Sequence, residues 1–540
     1  MPLHPERDGL ESIVGLLDAR AAEHPRHIAF HDRDEGVSLS VLIMESQSIA
    51  SALARAGVVP GDRVAVWLPN CTAWLATFLA CARIGAIVIA VNTRFRSSEV
   101  ADIVGRASAK VLFYWPGFRQ IDFSAILREV DPAQLAGLQT LVAYSEAGEA
   151  SLPVVGLAGK QLLRYKDLLA SETVPTGEII SPDDPCIIFT TSGTTRAPKF
   201  VLHSVRTITM HASDVCRAFD LSSAASALIL TLPLCGSFGF VQAMAALLAG
   251  CSLWTSPAFD VEETIAAIGR HAGTHLIGSD TMFSQLLERT TQTPAFPTLK
   301  LCGYGAFSPA LPDIGALAER RGIRLRGLYG SSEVQALFSI QDASLALSDR
   351  TLGGGRPVST EANVRARDPE SQRILEPGQV GEIEIRTPNR MIGYWGDEAA
   401  MRAAITADGY FRTGDSGYTL ADGRFVYLDR LNDSLRLGGF LVSPAEIEAL
   451  ILEDADIDAC QVVGTSVGKV EKSFAFVIMK SGCALDESRV IARCRARLAA
   501  YKVPVRVVAL ERFPTTLSAN ATKVQKNELK KMAVEHMGAR

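Results

Sequence analysis

At 540 residues the chain is long for one hydrophobic core, so two or more domains are expected. Its 48% hydrophobic and 21% charged content is ordinary for a globular protein, and a formal net charge of -5 with a pI near 6.1 argues against a nucleic-acid partner. The ten cysteines are scattered with no Cys-x-x-Cys pair, which speaks against zinc and disulfide frameworks and fits a reducing cytoplasm.

The opening residues Met1 to Asp8 have no apolar core and do not read as a signal peptide. Residues 1–180 read as alternating helices and strands. A helical stretch at 46–56 is closed by Gly57, and 62–68 is a strand. An apolar helix at 74–84 stops at Gly85, and a wholly apolar strand follows at 87–91. A strand apolar at every position suits a parallel sheet covered on both faces. Ser98 is the expected N-cap of the next helix, with Glu99 and Asp102 favouring its positive end, and 111–115 is a further strand. From Leu221 to Phe259 no residue is charged, long enough to raise a transmembrane reading. Pro233, Gly236 and Gly239 instead divide this stretch into a strand at 227–232, a loop and a helix near 241–248, a buried unit of a large α/β domain. No repeat at solenoid spacing is visible.

Chemistry first shows after the strand at 186–189, in Thr190-Thr191-Ser192-Gly193-Thr194-Thr195-Arg196-Ala197-Pro198-Lys199. Hydroxyls donate hydrogen bonds, glycine lets backbone N–H groups turn toward an anion, and lysine adds a point charge. That combination suits phosphate, although the Walker A pattern is absent; a polar surface loop is the plainer alternative. The segment resembles the phosphate loop of the adenylate-forming superfamily, which includes acyl-CoA and aryl-CoA ligases, adenylation domains and luciferases. Arg196 and Phe200 stand where that signature carries glycine.

Further resemblances follow in family order. Pro69-Asn70, Gly85-Ala86, Asn92 and Arg94-Phe95 resemble the N-terminal half of acyl-CoA ligases. Pro233-Leu234-Cys235-Gly236-Ser237-Phe238-Gly239 resembles the element bordering the acyl pocket, with Gly236 where many relatives carry histidine. The resemblance assigns Gly236, Phe238, Gly303 and Gly330 to that pocket. His271 and His275, four apart, could share a helical face, but no glutamate follows the first, and they read as packing or surface residues. Gly303-Tyr304-Gly305-Ala306 resembles the turn beside adenine, where a missing Cβ permits close approach. Leu328-Tyr329-Gly330-Ser331-Ser332-Glu333 resembles the Tyr-Gly-x-Thr-Glu motif: Tyr329 to stack on adenine, Ser332 to reach the α-phosphate, Glu333 to hold Mg²⁺.

Asp422-Gly423 is a two-residue hairpin signal between strands at 418–420 and 425–428. With that turn setting the register, Asp415 faces Arg430 at the open end. The pair could hold a sugar diol, Asp415 accepting and Arg430 donating, or form a cross-strand salt bridge; the family resemblance favours ribose. Leu431-Asn432-Asp433-Ser434 resembles the family hinge at Asn432. Ser443-Pro444-Ala445-Glu446 is a capping box opening a helix at 445–450. Strands at 461–463, 474–478 and 505–510 and a helix at 488–500 predict a small α/β domain. Phe513-Pro514 to Lys526 resembles the ending that carries the family's mobile catalytic lysine. Lys523 fits better than Lys526, although the spacing from Pro514 is long and Thr522 replaces glycine.

The expected fold is α/β: a large N-terminal domain of several subdomains with parallel-rich sheets (1–430), and a small mobile C-terminal domain (431–540). The resemblance implies an acid–thiol ligase using ATP, Mg²⁺ and CoA, with Gly438 and Gly439 beside a pantetheine tunnel. Two rivals are an enzyme that loads an acyl-carrier protein and a non-catalytic nucleotide-binding homologue. The identity of the acid is open, and so is the oligomeric state, a homodimer included.

Overall fold

The computed structural model describes residues 12–538 apart from 119–120, 147–156, 158, 171–179, 192–197, 224, 306–312, 432–434, 438–439, 443, 468–469, 499–501 and 518–521. Two large sheets dominate the N-terminal part. One has eight strands in the order Gly393–Tyr394, Phe200–Ser204, Pro185–Thr190, Ile87–Ala90, Arg63–Trp67, Val111–Tyr114, Thr140–Ala143 and Gln161–Arg164. From Pro185–Thr190 onward all pairings are parallel, while Phe200–Ser204 and Gly393–Tyr394 add antiparallel strands at one edge. The expected parallel core is therefore present, and Ile87, Val88, Ile89 and Ala90 are buried on both faces.

The other sheet has thirteen strands. Its parallel centre runs through Ser252–Thr255, Ala227–Leu230, His275–Ser279, Leu301–Gly305 and Leu325–Ser331. Beyond Leu325–Ser331 it turns antiparallel through Gln335–Ile340, Gly354–Pro357, Phe425–Arg430 and Phe411–Thr419. The C-terminal part is smaller. Ile457–Val467 and Val470–Met479 pair antiparallel, Val507–Ala509 joins in parallel, and Pro444–Leu452 packs on this sheet.

The charge-free stretch is the expected buried unit, with one correction. Gly239 does not precede the helix but lies inside Ser237–Ala249, whose N-cap is Gly236. A Cβ on Gly239 would stand 2.4 Å from the Pro233 carbonyl oxygen, so glycine lets the helix press onto the preceding loop. Among the described residues no helix is long and apolar enough to cross a membrane. A second correction concerns Ser98. The N-cap of the helix Ser97–Arg106 is Arg96, two residues earlier, and its backbone N–H donates to Glu99 at 2.9 Å. The two histidines also part company: His271 caps the C-terminal end of Val261–Arg270, and His275 opens a strand. His275 is buried, its Nε2 2.8 Å from the Phe219 carbonyl oxygen.

Candidate active site

Beside Pro185–Thr190, the strands Phe200–Ser204 and Gly393–Tyr394 touch the other sheet, His203 reaching Ser332 and Tyr394 reaching Glu333. The phosphate-loop residues Ser192, Gly193, Thr194 and Thr195 lie outside the described residues, but both ends of the loop are placed. The Thr191 N–H donates to the Lys199 carbonyl at 3.1 Å, and the Lys199 N–H donates to Thr191 Oγ1 at 3.3 Å. The chain then returns as Phe200–Ser204. Phe200, bulky where the family signature has glycine, is buried beneath the Arg106 guanidinium, 4.3 Å from its ring centre. Arg106 also donates to the Pro198 carbonyl at 2.9 Å and is held by Asp102 through two 2.8 Å bonds. One arginine thus grips the residues on either side of Lys199, and the departure at Phe200 is accommodated by a cation–π contact.

Across from this loop end stands the turn after Leu325–Ser331. Ser331 pairs with Gln335, leaving Ser332, Glu333 and Val334 at the tip. His203 anchors the turn: its Nε2–H donates to the Ser332 carbonyl at 2.7 Å. Burial lowers the His203 pKa to about 4, so the ring is a neutral structural donor. Gly330 is explained by backbone crowding. A Cβ there would lie 2.7 Å from Ala336 Cα, because Gln335–Ile340 folds back tightly with Gln335 and Leu337 at positive φ. The Glu333 carboxylate accepts from Tyr394 Oη at 3.0 Å, and the Tyr394 ring lies 4.5 Å beneath Lys199 Nζ.

Asp415 and Arg430 are cross-strand partners, with Arg430 Nη1 3.0 Å from Asp415 Oδ1. Tyr329 joins them from another strand of the same sheet, its hydroxyl donating to Asp415 Oδ2 at 2.5 Å. The Tyr329 ring is buried edge-on against Phe425, so the residue predicted for adenine also fixes a carboxylate. Asp415 is itself buried, and its Oδ1 has no aligned hydrogen-bond donor. Burial pushes its carboxyl up to about 6, against the downward pull of Arg430 and Tyr329.

Gly303 lies in the middle of the neighbouring strand Leu301–Gly305 and Gly305 ends it; Ala306 lies outside the described residues. A Cβ on Gly303 would meet Leu328 at 3.0 Å. The Pro233–Gly236 loop is clamped by buried Asn70, whose amide donates to the Leu232 carbonyl at 2.9 Å and accepts from the Leu234 N–H at 2.7 Å. Phe238 follows in the first helical turn and is buried. Gly236 sits at φ -106° and ψ 145°, extended backbone open to any residue. Nothing in its conformation calls for glycine.

Asn432, Gly438 and Gly439 lie outside the described residues. Lys523 is placed by backbone alone, opposite Thr516 in the hairpin of Thr515–Leu517 and Thr522–Val524. Lys526 opens the last helix, and its ammonium lies 3.2 Å from the Asp429 carboxylate. Sequence reasoning missed Tyr394 and Arg106 as parts of the site, and it gave Asn70 no role. The available signals were the Gly393-Tyr394-Trp395 run, the basic end of the helix after Asp102, and the Pro69-Asn70 pair.

Among the described residues no group of three His, Cys, Asp or Glu side chains could cage a metal. Glu333, linked through Tyr394 to Lys199 at the end of the predicted phosphate loop, fits Mg²⁺, which is commonly held by one or two carboxylates plus substrate phosphates. The ion would then arrive with the nucleotide.

The model of the AMP-binding enzyme family matches residues 17–395, and that of the AMP-binding enzyme C-terminal domain matches 446–520. The chain is 30% identical over 528 residues to the 3-[(3aS,4S,7aS)-7a-methyl-1,5-dioxo-octahydro-1H-inden-4-yl]propanoyl:CoA ligase of Mycobacterium tuberculosis, covering 96% of this chain and 99% of the relative. It is also 30% identical to the indoleacetate–CoA ligase of Aromatoleum aromaticum, covering 96% and 97% of the two chains. In fold it matches ATP-bound MatB from Rhodopseudomonas palustris with a TM-score of 0.80 at 24% identity, over 96% of this chain and 98% of that one. The anthranilate CoA ligase AuaEII with anthranoyl-AMP gives the same TM-score at 20% identity, over 98% of each chain. The chain belongs to the AMP-binding enzymes, as an adenylate-forming acid–thiol ligase of the acyl-CoA synthetase type.

Proposed function

We propose that this ligase activates a bulky carboxylic acid, medium-chain, cyclic or aromatic, and passes its acyl group to CoA. The observation that carries the choice of acid is Gly236. It caps the helix beside the predicted acyl pocket with no backbone reason to be glycine, so a missing side chain is space for substrate. The relatives that act on bicyclic propanoates and indoleacetate support a large acid.

The reaction runs in two halves. A carboxylate oxygen of the acid attacks the α-phosphorus of ATP, forming the acyl-adenylate and releasing pyrophosphate. The thiolate of CoA then attacks the acyl carbon, forming the thioester and releasing AMP. In the first half Thr191 to Thr195 and Lys199 hold the leaving phosphates, Ser332 meets the α-phosphate, and Lys523 offsets the charge developing there. Glu333 would hold the Mg²⁺ that arrives with the nucleotide, and the ion would supply further positive charge. Asp415 and Arg430 take the ribose, and Tyr329, Gly305 and Ala306 border the adenine. The proposed hinge is Asn432, dividing 1–430 from 431–540, with Gly438 and Gly439 beside the pantetheine arm. A carrier protein presents the same phosphopantetheine thiol, so comparing free CoA with holo-carrier protein identifies the acceptor. The ten cysteines are free thiols, which suits a reducing cytoplasm.

ATP–pyrophosphate exchange across a panel of acids tests the substrate class, with Gly236→Trp beside wild type. The variant is expected to shift preference toward short acids, because overfilling a packed site costs about 1–3 kcal/mol. Unchanged selectivity would show that Gly236 does not line the pocket.

The raised Asp415 pKa gives a pH prediction. Above about 6 the carboxylate is ionised and accepts from the ribose hydroxyls; below it, that charge is lost. ATP affinity, measured by calorimetry, should fall severalfold from pH 7 to pH 5, and Asp415→Asn should flatten the profile. The unliganded fold shows the opposite trend. A raised acid contributes stability that is fully present below the unfolded value of about 3.9 and lost as pH rises through the folded value.

A further inference from the structure

Lys199 precedes a strand of one sheet, Glu333 lies in a turn between strands of the other, and they are far apart in sequence, yet one side chain touches both. Tyr394 belongs to the two-residue strand Gly393–Tyr394, which pairs antiparallel with Phe200–Ser204, Tyr394 opposite Val201. That register sets its ring 4.5 Å from Lys199 Nζ. Its hydroxyl reaches the other way and donates to Glu333 Oε1 at 3.0 Å. The segment is tied down on both sides: the Met391 N–H donates to the Glu333 carbonyl at 2.7 Å, and the Trp395 N–H to the Phe200 carbonyl at 2.8 Å. Tyr394 is buried.

We propose that Tyr394 is a positioning residue that aligns the Glu333 carboxylate for the nucleotide-borne metal and seats the Lys199 ammonium beside it. This rests on the reading of Glu333 and Lys199 given above. A donor on one carboxylate oxygen fixes the rotation of the group and leaves the other oxygen for a cation. The π face holds an ammonium without neutralising it, so Lys199 remains available to phosphate. A phenylalanine would serve Lys199 alone, and the hydroxyl explains why tyrosine stands here.

The two contacts separate by mutation. The full chain is titrated with Mn²⁺ at saturating ATP and no acid, and free metal is read by EPR; ATP affinity is measured separately in EDTA. Tyr394→Phe keeps the ring and drops the donor. It should weaken Mn²⁺ binding about tenfold, the usual scale for losing a partner of a metal ligand, with metal-free ATP affinity unchanged. Tyr394→Leu removes the ring as well and should weaken metal-free ATP binding by about threefold, as expected for an exposed cation–π contact. Equal melting temperatures for Tyr394→Phe and wild type show that the fold is kept. Wild-type Mn²⁺ affinity in Tyr394→Phe, with Glu333→Gln impaired, would overturn the positioning role. Wild-type affinity in Glu333→Gln would overturn the metal assignment beneath it.

Discussion

Lys523→Ala is expected to lower ATP–pyrophosphate exchange on the order of a hundredfold or more, the scale of removing a donor aimed at developing transition-state charge. Thioester formation from preformed acyl-adenylate should survive, because the role proposed for the lysine is confined to the step at the α-phosphate. Lys526 is the control. Its ammonium lies 3.2 Å from Asp429, next to Arg430, and both partners are largely buried. A lysine held in this way tethers the last helix to the end of the Phe425–Arg430 strand and is not free to meet a phosphate. Lys526→Ala should therefore change exchange by about tenfold at most, through loss of a partly buried ion pair. Normal exchange in Lys523→Ala together with its loss in Lys526→Ala would reverse the assignment.

What the sequence disclosed, and what it concealed, follows the range of each interaction. The apolar strand at 87–91 was legible because a period with no polar position has few physical solutions, and the parallel ladder is there. Asp415 does face Arg430, but not through the two-residue turn expected at Asp422-Gly423: Thr419 pairs with Phe425 and Tyr418 with Val426, one residue off that register, and a bulge between Ser416 and Gly417 restores the pairing at the open end. Local cap chemistry was harder. Ser98 looked like a cap, yet the helix begins at Ser97 because Glu99 reaches back to the Arg96 N–H. Gly239 looked like a breaker because glycine lowers helix propensity. Its actual reason is a carbonyl 2.4 Å from where its Cβ would be, a tertiary contact that outweighs propensity. Tyr394, Arg106 and Asn70 stayed hidden for the same reason: each acts across the space between elements. The distance from Asn70 to Leu234, 164 residues along the chain, has no trace in a local pattern.

The second large effect concerns the thiol. Leu437 pairs with Phe440 across the strands Leu435–Leu437 and Phe440–Val442; Gly438 and Gly439, which follow Leu437 in sequence, lie outside the described residues. Two demands for glycine compete. A two-residue hairpin favours residues that tolerate positive φ, at about 1–2 kcal/mol for an ordinary L-residue. A pantetheine arm passing the backbone would be obstructed by any bulky side chain. The half-reactions tell them apart. Gly439→Leu should keep pyrophosphate exchange near wild type, since no proposed nucleotide contact involves this hairpin, while acyl-CoA formation falls a hundredfold or more and acyl-adenylate accumulates. Gly439→Asn meets the turn requirement with a small side chain and should retain most thioester formation. If the hairpin alone required glycine, Gly439→Leu would lose both half-reactions together with a lower melting temperature, and that result would remove the pantetheine arm from this segment. Accumulated acyl-adenylate in Gly439→Leu, chased to thioester by adding wild-type enzyme, is the outcome that places the second half-reaction here.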